Sequence, residues 1–123
     1  MIYGLLVGHR DIGEGILRAL KSISGGIENF SCISNDGLST NELVEKIIAF
    51  SDDHKGEGLL IFVDLYGGSC WRASKKAKLK STHIISGANL PMLLSFINKR
   101  ESFSLDDLPV IIENDGKRGI TLD

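Results

Sequence analysis

The chain has 123 residues, with 14 Lys and Arg against 16 Asp and Glu, which gives a net charge of −2. This length is typical of one domain, here residues 1–123, and the near-neutral charge gives no indication of a nucleic-acid partner or of direct membrane binding. No apolar run approaches the roughly 18 residues of a membrane span. The two cysteines, Cys32 and Cys70, lack CxxC spacing, which favours a reduced, cytoplasmic setting.

Apolar strand-like runs alternate with helical patterns along the chain. The predicted strands are 2–7, 28–34, 58–65 and 82–87, and the predicted helices are 13–23, 41–53, 69–80 and 89–100. Residues 104–123 predict a short helix, a glycine turn and a last strand, Ile120–Leu122. Runs that are apolar on both faces and joined by helices are typical of a parallel sheet covered on both sides. We therefore predict a single α/β domain with a mostly parallel sheet and helices on both faces.

Polar residues and glycines follow the ends of the predicted strands. His9 follows the first strand, Asp64 closes the third, and the turn "YGGS" (66–69) opens the next helix. Asp36 and Gly37 follow the second strand, and Gly87 to Asn89 follow the fourth. Alone, each has an ordinary explanation as a loop residue, helix cap or tight turn. Together they indicate a site, because ligands bind outside the carboxyl ends of parallel strands.

The chemistry suggested by these residues is phosphoryl transfer. A neutral imidazole nitrogen of His9 can attack a phosphoryl group, while a carboxylate such as Asp64 holds the other ring nitrogen. Backbone N–H groups of Gly67, Gly68 and Ser69, at the start of a helix, can hold phosphoryl oxygens. A phosphoryl carrier of this kind needs no cofactor, and we predict no metal site.

Three other kinds of site compare with a phosphoryl-transfer site: a kinase catalytic loop, a zinc site and a thiolate nucleophile. The tripeptide "HRD" (9–11) is not a kinase catalytic loop, because Ile16 stands where that loop requires Asn. The three histidines lie in separate segments without zinc-ligand spacing. Cys70 at a helix start could react as a thiolate, and a Cys-His nucleophile pair with His9 stays open.

Four segments carry a family resemblance that spans nearly the whole chain. They are "GLLVGHRDIGEGI", "IFVDLYGGSCWRAS", "ISGANLPMLLSFINKR" and "ENDGKRGI". In order and spacing they resemble the mannose-class enzyme IIA components of the bacterial phosphoenolpyruvate-dependent sugar phosphotransferase system. The resemblance implies a parallel α/β fold and a homodimer in which the last strand is exchanged between subunits.

By position, the resemblance also implies roles for individual residues. His9 matches the phosphorylated histidine and Asp64 the carboxylate that orients its ring, while Ser69 with Gly67-Gly68 matches the phosphate-holding turn. Asn89 opens a neighbouring segment. The implied protein is a cytoplasmic phosphotransferase component that takes phosphate from the histidine phosphocarrier protein and passes it to a IIB subunit. It would meet the membrane only through the transport complex, and 123 residues leave no room for a fused IIB domain.

The sequence departs from the family pattern next to the histidine and at the phosphate turn. Gly8 stands in place of Ser or Thr, and Arg10 in place of Gly, where its side chain could pair with phosphate or restrict partner access. Cys70, Trp71 and Arg72 replace Pro, an aromatic residue and Asn. Two alternatives stay open: the phosphoryl-donor subunit of dihydroxyacetone kinase, and a regulatory IIA-like binding module that is not coupled to transport.

Overall fold

A four-stranded parallel sheet forms the centre of the computed structural model, which describes residues 1–54 and 56–123. The strands are β1 (Tyr3–Gly8), β2 (Phe30–Ser34), β3 (Leu59–Val63) and β4 (Thr82–Ser86). The helices are α1 (Ile12–Ser24), α2 (Thr40–Asp53), α3 (Ser69–Lys76), α4 (Leu90–Lys99) and α5 (Leu108–Arg118). The strand order is β2-β1-β3-β4, and every neighbouring pair is parallel. The predicted parallel α/β class is confirmed.

Two apolar cores lie on the two faces of the sheet, because successive side chains of a strand point to opposite faces. On one face Leu60 and Phe62 of β3 pack with residues of α1, α4 and α5, including Leu20 and Phe96. On the other face Leu59, Ile61 and Val63 of β3 pack with residues of α2 and α3. Helices therefore cover both faces, and the carboxyl ends of all four strands open at one edge.

Local signals set the starts of two helices. Ser39 caps α2 through a capping box, in which its hydroxyl accepts the Glu42 N–H and the Glu42 carboxylate accepts the Ser39 N–H. These hydrogen bonds also lower the pKa of Glu42. Asn89 caps α4 by accepting the Met92 N–H, and Pro91 lies in the first turn, where its missing N–H is not needed.

Several predicted boundaries differ from the structure by one or two residues, and the end of α3 differs by four. Helix α3 ends at Lys76 instead of residue 80, since Lys78 takes a left-handed backbone (φ 49°) that ends the helix. Strand β3 ends at Val63, and Leu65 lies beyond it with its side chain exposed. Gly116 lies inside α5 instead of forming a turn. Its missing side chain lets α5 approach α4, because a Cβ there would stand 2.9 Å from Met92 Cβ.

The predicted last strand, Ile120–Leu122, does not form within the single chain. Residues 119–123 carry no strand, and the side chains of Ile120 and Leu122 are 81% and 99% exposed. A short strand needs a sheet to join, so the last strand in its exchanged form stays a prediction. The tail does not fold back onto its own sheet.

A buried arginine holds the amino end of the sheet, opposite the strand ends that carry the candidate residues. The Arg100 guanidinium donates to the backbone carbonyls of Ile2, Glu28 and Asn29 and lies over the Phe96 ring. Burial lowers its pKa. Within the part of the chain that the structure describes, no helix has the length and apolar character to cross a membrane.

Candidate functional site

A histidine and an aspartate meet where two neighbouring strands end. His9 directly follows β1 and Asp64 directly follows β3, and these strands pair in parallel with Val7 opposite Val63. Asp64 Oδ2 accepts the His9 backbone N–H at 2.9 Å and lies 2.8 Å from His9 Nδ1. An ionised carboxylate only accepts hydrogen bonds, so Nδ1 carries the proton and Nε2 of the neutral ring keeps its lone pair.

Asp64 is the more buried member of the histidine–aspartate pair. The Asp64 side chain is 9% exposed, and that of His9 is 38% exposed. Asp64 Oδ1 is buried without a hydrogen-bond partner among the described residues. A buried carboxylate charge that few donors satisfy gains most from a cationic neighbour. The pair can therefore stabilise positive charge that develops on the ring during a reaction at Nε2, which lies beside Ser69.

The first turn of α3 lies beside the free ring nitrogen. Ser69 Oγ is 3.4 Å from His9 Nε2. Gly67 has a left-handed backbone (φ 79°), and a Cβ at Gly68 would stand 3.2 Å from His9 Cε1. Both glycines thus let the turn approach the ring closely. The Arg72 guanidinium donates to the Gly67 carbonyl at 2.7 Å and braces the turn.

The donors at this turn differ in part from those expected. The Gly68 N–H donates to the Leu65 carbonyl at 3.2 Å, so it is already engaged. Helix geometry leaves the first N–H groups of α3, beginning with Ser69 and Cys70, without an intrahelical acceptor. These N–H groups and the Ser69 hydroxyl are the donors that an anion beside His9 would meet.

Asn35 joins the site from a third strand end, and the sequence reasoning missed it. It directly follows β2, and its backbone N–H donates to the Gly8 carbonyl at 3.1 Å. Its Oδ1 accepts the Arg10 N–H at 3.0 Å, and its Nδ2 donates to Ser69 Oγ at 3.4 Å. The strand-end rule that identified His9 and Asp64 also applies to Asn35, which directly follows β2. The sequence analysis placed Asp36 and Gly37 at that strand end instead.

Cys70 lies under the histidine as a buried thiol. Its Sγ is 3.8 Å from His9 Nδ1, and burial together with the Asp64 charge raises its pKa to about 11. It is therefore a thiol at neutral pH, which weakens the Cys-His nucleophile reading. Ligand atoms of His9, Asp64 and Cys70 lie within 4.8 Å of one another. A Zn²⁺ ion there would have to replace the His9–Asp64 hydrogen bond and ionise this thiol.

The two remaining predicted residues differ in their placement. Arg10 follows His9 with an exposed side chain and a left-handed backbone (φ 48°), at the position where Asn35 holds its N–H. The Asn89 side chain is engaged in structure: besides capping α4, its Nδ2 donates to the Gly116 carbonyl at 3.3 Å. A contact between Asn89 and a partner stays a prediction.

Sequence comparison assigns the chain to a family. The sequence model of the family EIIA-man, described as "PTS system fructose IIA component", matches residues 4–113. The chain belongs to this family. The mannose-class EIIA resemblance is thereby confirmed, and the dihydroxyacetone kinase alternative is not favoured.

Characterised relatives of this EIIA chain carry sugar-specific names. The sorbose-specific EIIA component of Lacticaseibacillus casei is 30% identical over 109 residues, which cover 85% of this chain and 78% of that protein. The mannose-specific EIIAB component of Escherichia coli (strain K12) is 29% identical over 128 residues, 98% of this chain but only 39% of that protein. This EIIA chain thus spans well under half of the EIIAB protein.

Solved EIIA structures share the fold. The phosphotransferase system component EIIA of Streptococcus agalactiae superposes with a TM-score of 0.86 at 28% identity, covering 99% of this chain and 97% of that one. The mannose/sorbose-specific IIA subunit of Enterococcus faecalis gives a TM-score of 0.80 at 17% identity, covering 99% and 94% of the two chains. At that lower identity the likeness concerns the fold alone.

Proposed function

We propose that this EIIA chain is a phosphoryl carrier that holds the phosphoryl group on Nε2 of His9. The observation that carries the proposal is the placement of the ring. Nδ1 is bound to a buried carboxylate at 2.8 Å, and Nε2 faces a helix start and the Ser69 hydroxyl. One nitrogen is thus oriented and the other is left as the nucleophile.

The proposed step moves one phosphoryl group between two histidines. The Nε2 lone pair of His9 attacks the phosphorus of a phosphohistidine on the histidine phosphocarrier protein, so that one N–P bond forms as the other breaks. Positive charge develops on the His9 ring, and Asp64 stabilises it. The Ser69 hydroxyl and the N–H groups at the start of α3 donate hydrogen bonds to the phosphoryl oxygens. Gly67 and Gly68 provide the close approach.

The same geometry serves the onward transfer. A nucleophile on a IIB subunit attacks the phosphorus, the His9 N–P bond breaks, and the electron pair returns to Nε2. Family membership supports these two partners, and we place the exchange in the cytoplasm, in keeping with the free thiols of Cys32 and Cys70. The regulatory alternative is a IIA-like module, phosphorylated or not, that binds a partner without feeding sugar transport.

Phosphorylation in a reconstituted system tests the proposal. The protein is incubated with enzyme I, the histidine phosphocarrier protein and phosphoenolpyruvate, and intact mass is measured. We expect an acid-labile gain of one phosphoryl group, lost in His9→Gln and kept in His54→Gln and His83→Gln, whose rings bond to the Phe50 carbonyl and to Asp106. Labelling of His9→Gln at the wild-type rate would disprove the assignment, and adding IIB tests onward transfer.

We also propose that the chain forms a homodimer by exchanging its last residues. Strand β4 lies at the edge of the sheet, and a groove of about 380 Å³ runs along it between Tyr66, Trp71 and α5. The exposed Ile120 and Leu122 alternate with Thr121, as in a strand with one apolar face. The tail of a second copy would cover this edge and bury those side chains, in a closed two-fold arrangement.

A further inference from the structure

We propose that Asn35 is a positioning residue for phosphoryl transfer, which it serves by setting the direction in which the Ser69 hydroxyl donates its proton. The inference rests on the proposed function of His9. It starts from the side chain of Asn35, which bridges the turn after β1 and the start of α3.

The orientation of the Asn35 amide is fixed by its neighbours. The Arg10 backbone N–H can only donate, so the group 3.0 Å from it must be the oxygen Oδ1. The amide nitrogen Nδ2 therefore faces Ser69 Oγ, 3.4 Å away, and donates to it. The left-handed backbone of Arg10 is sterically unfavourable for a residue with a side chain. The hydrogen bond that the Arg10 N–H donates to Asn35 Oδ1 helps to hold this backbone conformation.

The direction of one hydrogen bond then determines the next. Because Ser69 Oγ accepts from Asn35, its own O–H is free to point toward His9 Nε2, 3.4 Å away. In the phosphorylated protein that O–H donates to a phosphoryl oxygen on Nε2. When the Nε2 lone pair bonds phosphorus, the O–H has only to turn from Nε2 to an oxygen of the attached phosphoryl group, so a donor already held beside the ring stabilises the transition state with little reorganisation. The hydrogen-bonded series Arg10–Asn35–Ser69–His9 thus connects the ends of β1 and β2 with the start of α3.

An aspartate at position 35 would reverse this direction while keeping the shape. Asn35→Asp retains an oxygen for the Arg10 N–H, so the turn and the fold are kept. Its second oxygen, however, accepts the Ser69 O–H and turns it away from Nε2. We expect kcat for phosphoryl acceptance to fall at least about tenfold, with KM for the phosphocarrier and the melting temperature nearly unchanged. The matched control is Asn98→Asp, the same change at an exposed position of α4.

The hydrogen bonds from Asn35 to Ser69 and from Ser69 toward His9 are called the relay. A double-mutant cycle with Ser69→Ala distinguishes an effect through this relay from simple charge repulsion. If Asn35 acts through Ser69, Asn35→Asp costs less than about threefold in the Ser69→Ala background. Repulsion between the new carboxylate and the phosphoryl group would persist there and give additive losses, which would overturn the proposal. Wild-type kcat in Asn35→Asp would overturn it as well.

The ¹⁵N resonance of His9 Nε2 gives a readout without phosphorylation. Asn35→Asp should shift it and Asn98→Asp should not, since only the former removes the Ser69 proton from Nε2. An unchanged resonance refutes the relay. If the wild-type protein is not phosphorylated on His9 but the resonance still moves, the proposed function fails while the hydrogen-bond relay stands.

Discussion

At the scale of single residues, one carboxylate oxygen would decide which nitrogen of His9 reacts in the proposed transfer. Asp64 Oδ2 binds both the backbone N–H and Nδ1 of His9, so the ring is fixed at two points. This arrangement orients the ring before a partner arrives, and less reorganisation is then needed during transfer.

Replacing Asp64 by asparagine tests this role. Asp64→Asn keeps the shape but removes the charge that stabilises a positive ring. By analogy with other carboxylate–histidine pairs, we expect the barrier to phosphoryl transfer to rise by about 3 kcal/mol or more, with the fold intact. Rapid-quench measurement of phosphohistidine formation gives the rate, and circular dichroism monitors folding. Transfer at the wild-type rate would leave Asp64 a structural residue only.

The thiol of Cys70 should take no part in the chemistry. Its pKa is raised to about 11, so the reactive thiolate is scarce at pH 7 and its fraction grows only as the pH rises toward that value. We expect the Cys70 thiol to be alkylated more slowly at pH 7.5 than in the unfolded protein, and the rate should increase at higher pH. Cys70→Ser should transfer phosphate within a few-fold of the wild-type rate. Fast alkylation that phosphorylation blocks would instead favour a thiolate mechanism.

The sequence predicted part of the site because parallel strands deliver their last residues to one edge. That rule brings His9 and Asp64 together. The same rule does not predict that the Gly68 N–H donates to the Leu65 carbonyl, because that hydrogen bond depends on the conformation of the turn between β3 and α3. Nor does residue type reveal that Asn35 spans two turns, because an Asn before Asp-Gly also suits an ordinary loop.

At the scale of elements, strong apolar runs made the strands predictable, and packing between elements explains the errors. Gly116 indicated a turn when read locally, yet α5 passes through it because Met92 of α4 needs the space. The order of the strands in the sheet is likewise a tertiary property. No local pattern identified Arg100 as the residue that ties the amino ends of β1 and β2 together.

Arg100 offers the test at this scale. Arg100→Ala would remove the charged donor that the carbonyls of Ile2, Glu28 and Asn29 share, and a hydrogen bond to a charged group contributes about 1.5–3 kcal/mol. We expect the free energy of unfolding in urea to fall by at least about 2 kcal/mol. Arg100→Lys should restore only part of it, because one ammonium lacks the planar fork of a guanidinium. Wild-type stability in Arg100→Ala would show that these hydrogen bonds contribute little.

At the scale of the whole molecule, the exposed tail and the open edge of β4 are complementary features of one chain. The family match ends at Glu113, and the exchange is supported by the alternating pattern of the tail and by the groove beside β4. Light scattering at micromolar concentration should give about twice the chain mass of 13.4 kDa.

Variants in the tail test the exchange directly. Leu122→Asp and Ile120→Asp should shift the protein toward monomer, because each puts a charge on the apolar face of the added strand. Thr121→Asp is the matched control, since its side chain lies on the opposite face, and it should remain dimeric. Deleting residues 117–123 should yield monomers or aggregates. A well-folded wild-type monomer would contradict the exchange.

The open edge of β4 also bears on how this protein would behave when it is concentrated or stored. In the proposed exchange the donor tail and the acceptor groove reside on the same polypeptide, so exchange between two copies would satisfy both and stop. If the link after α5 were stiffened so that mutual exchange became impossible, each copy would still offer a tail to the next and an edge to the previous one. Head-to-tail contacts that fail to close grow into filaments. In the proposed exchange, the few residues after Arg118 would therefore decide whether the contacts close into a dimer or grow into filaments.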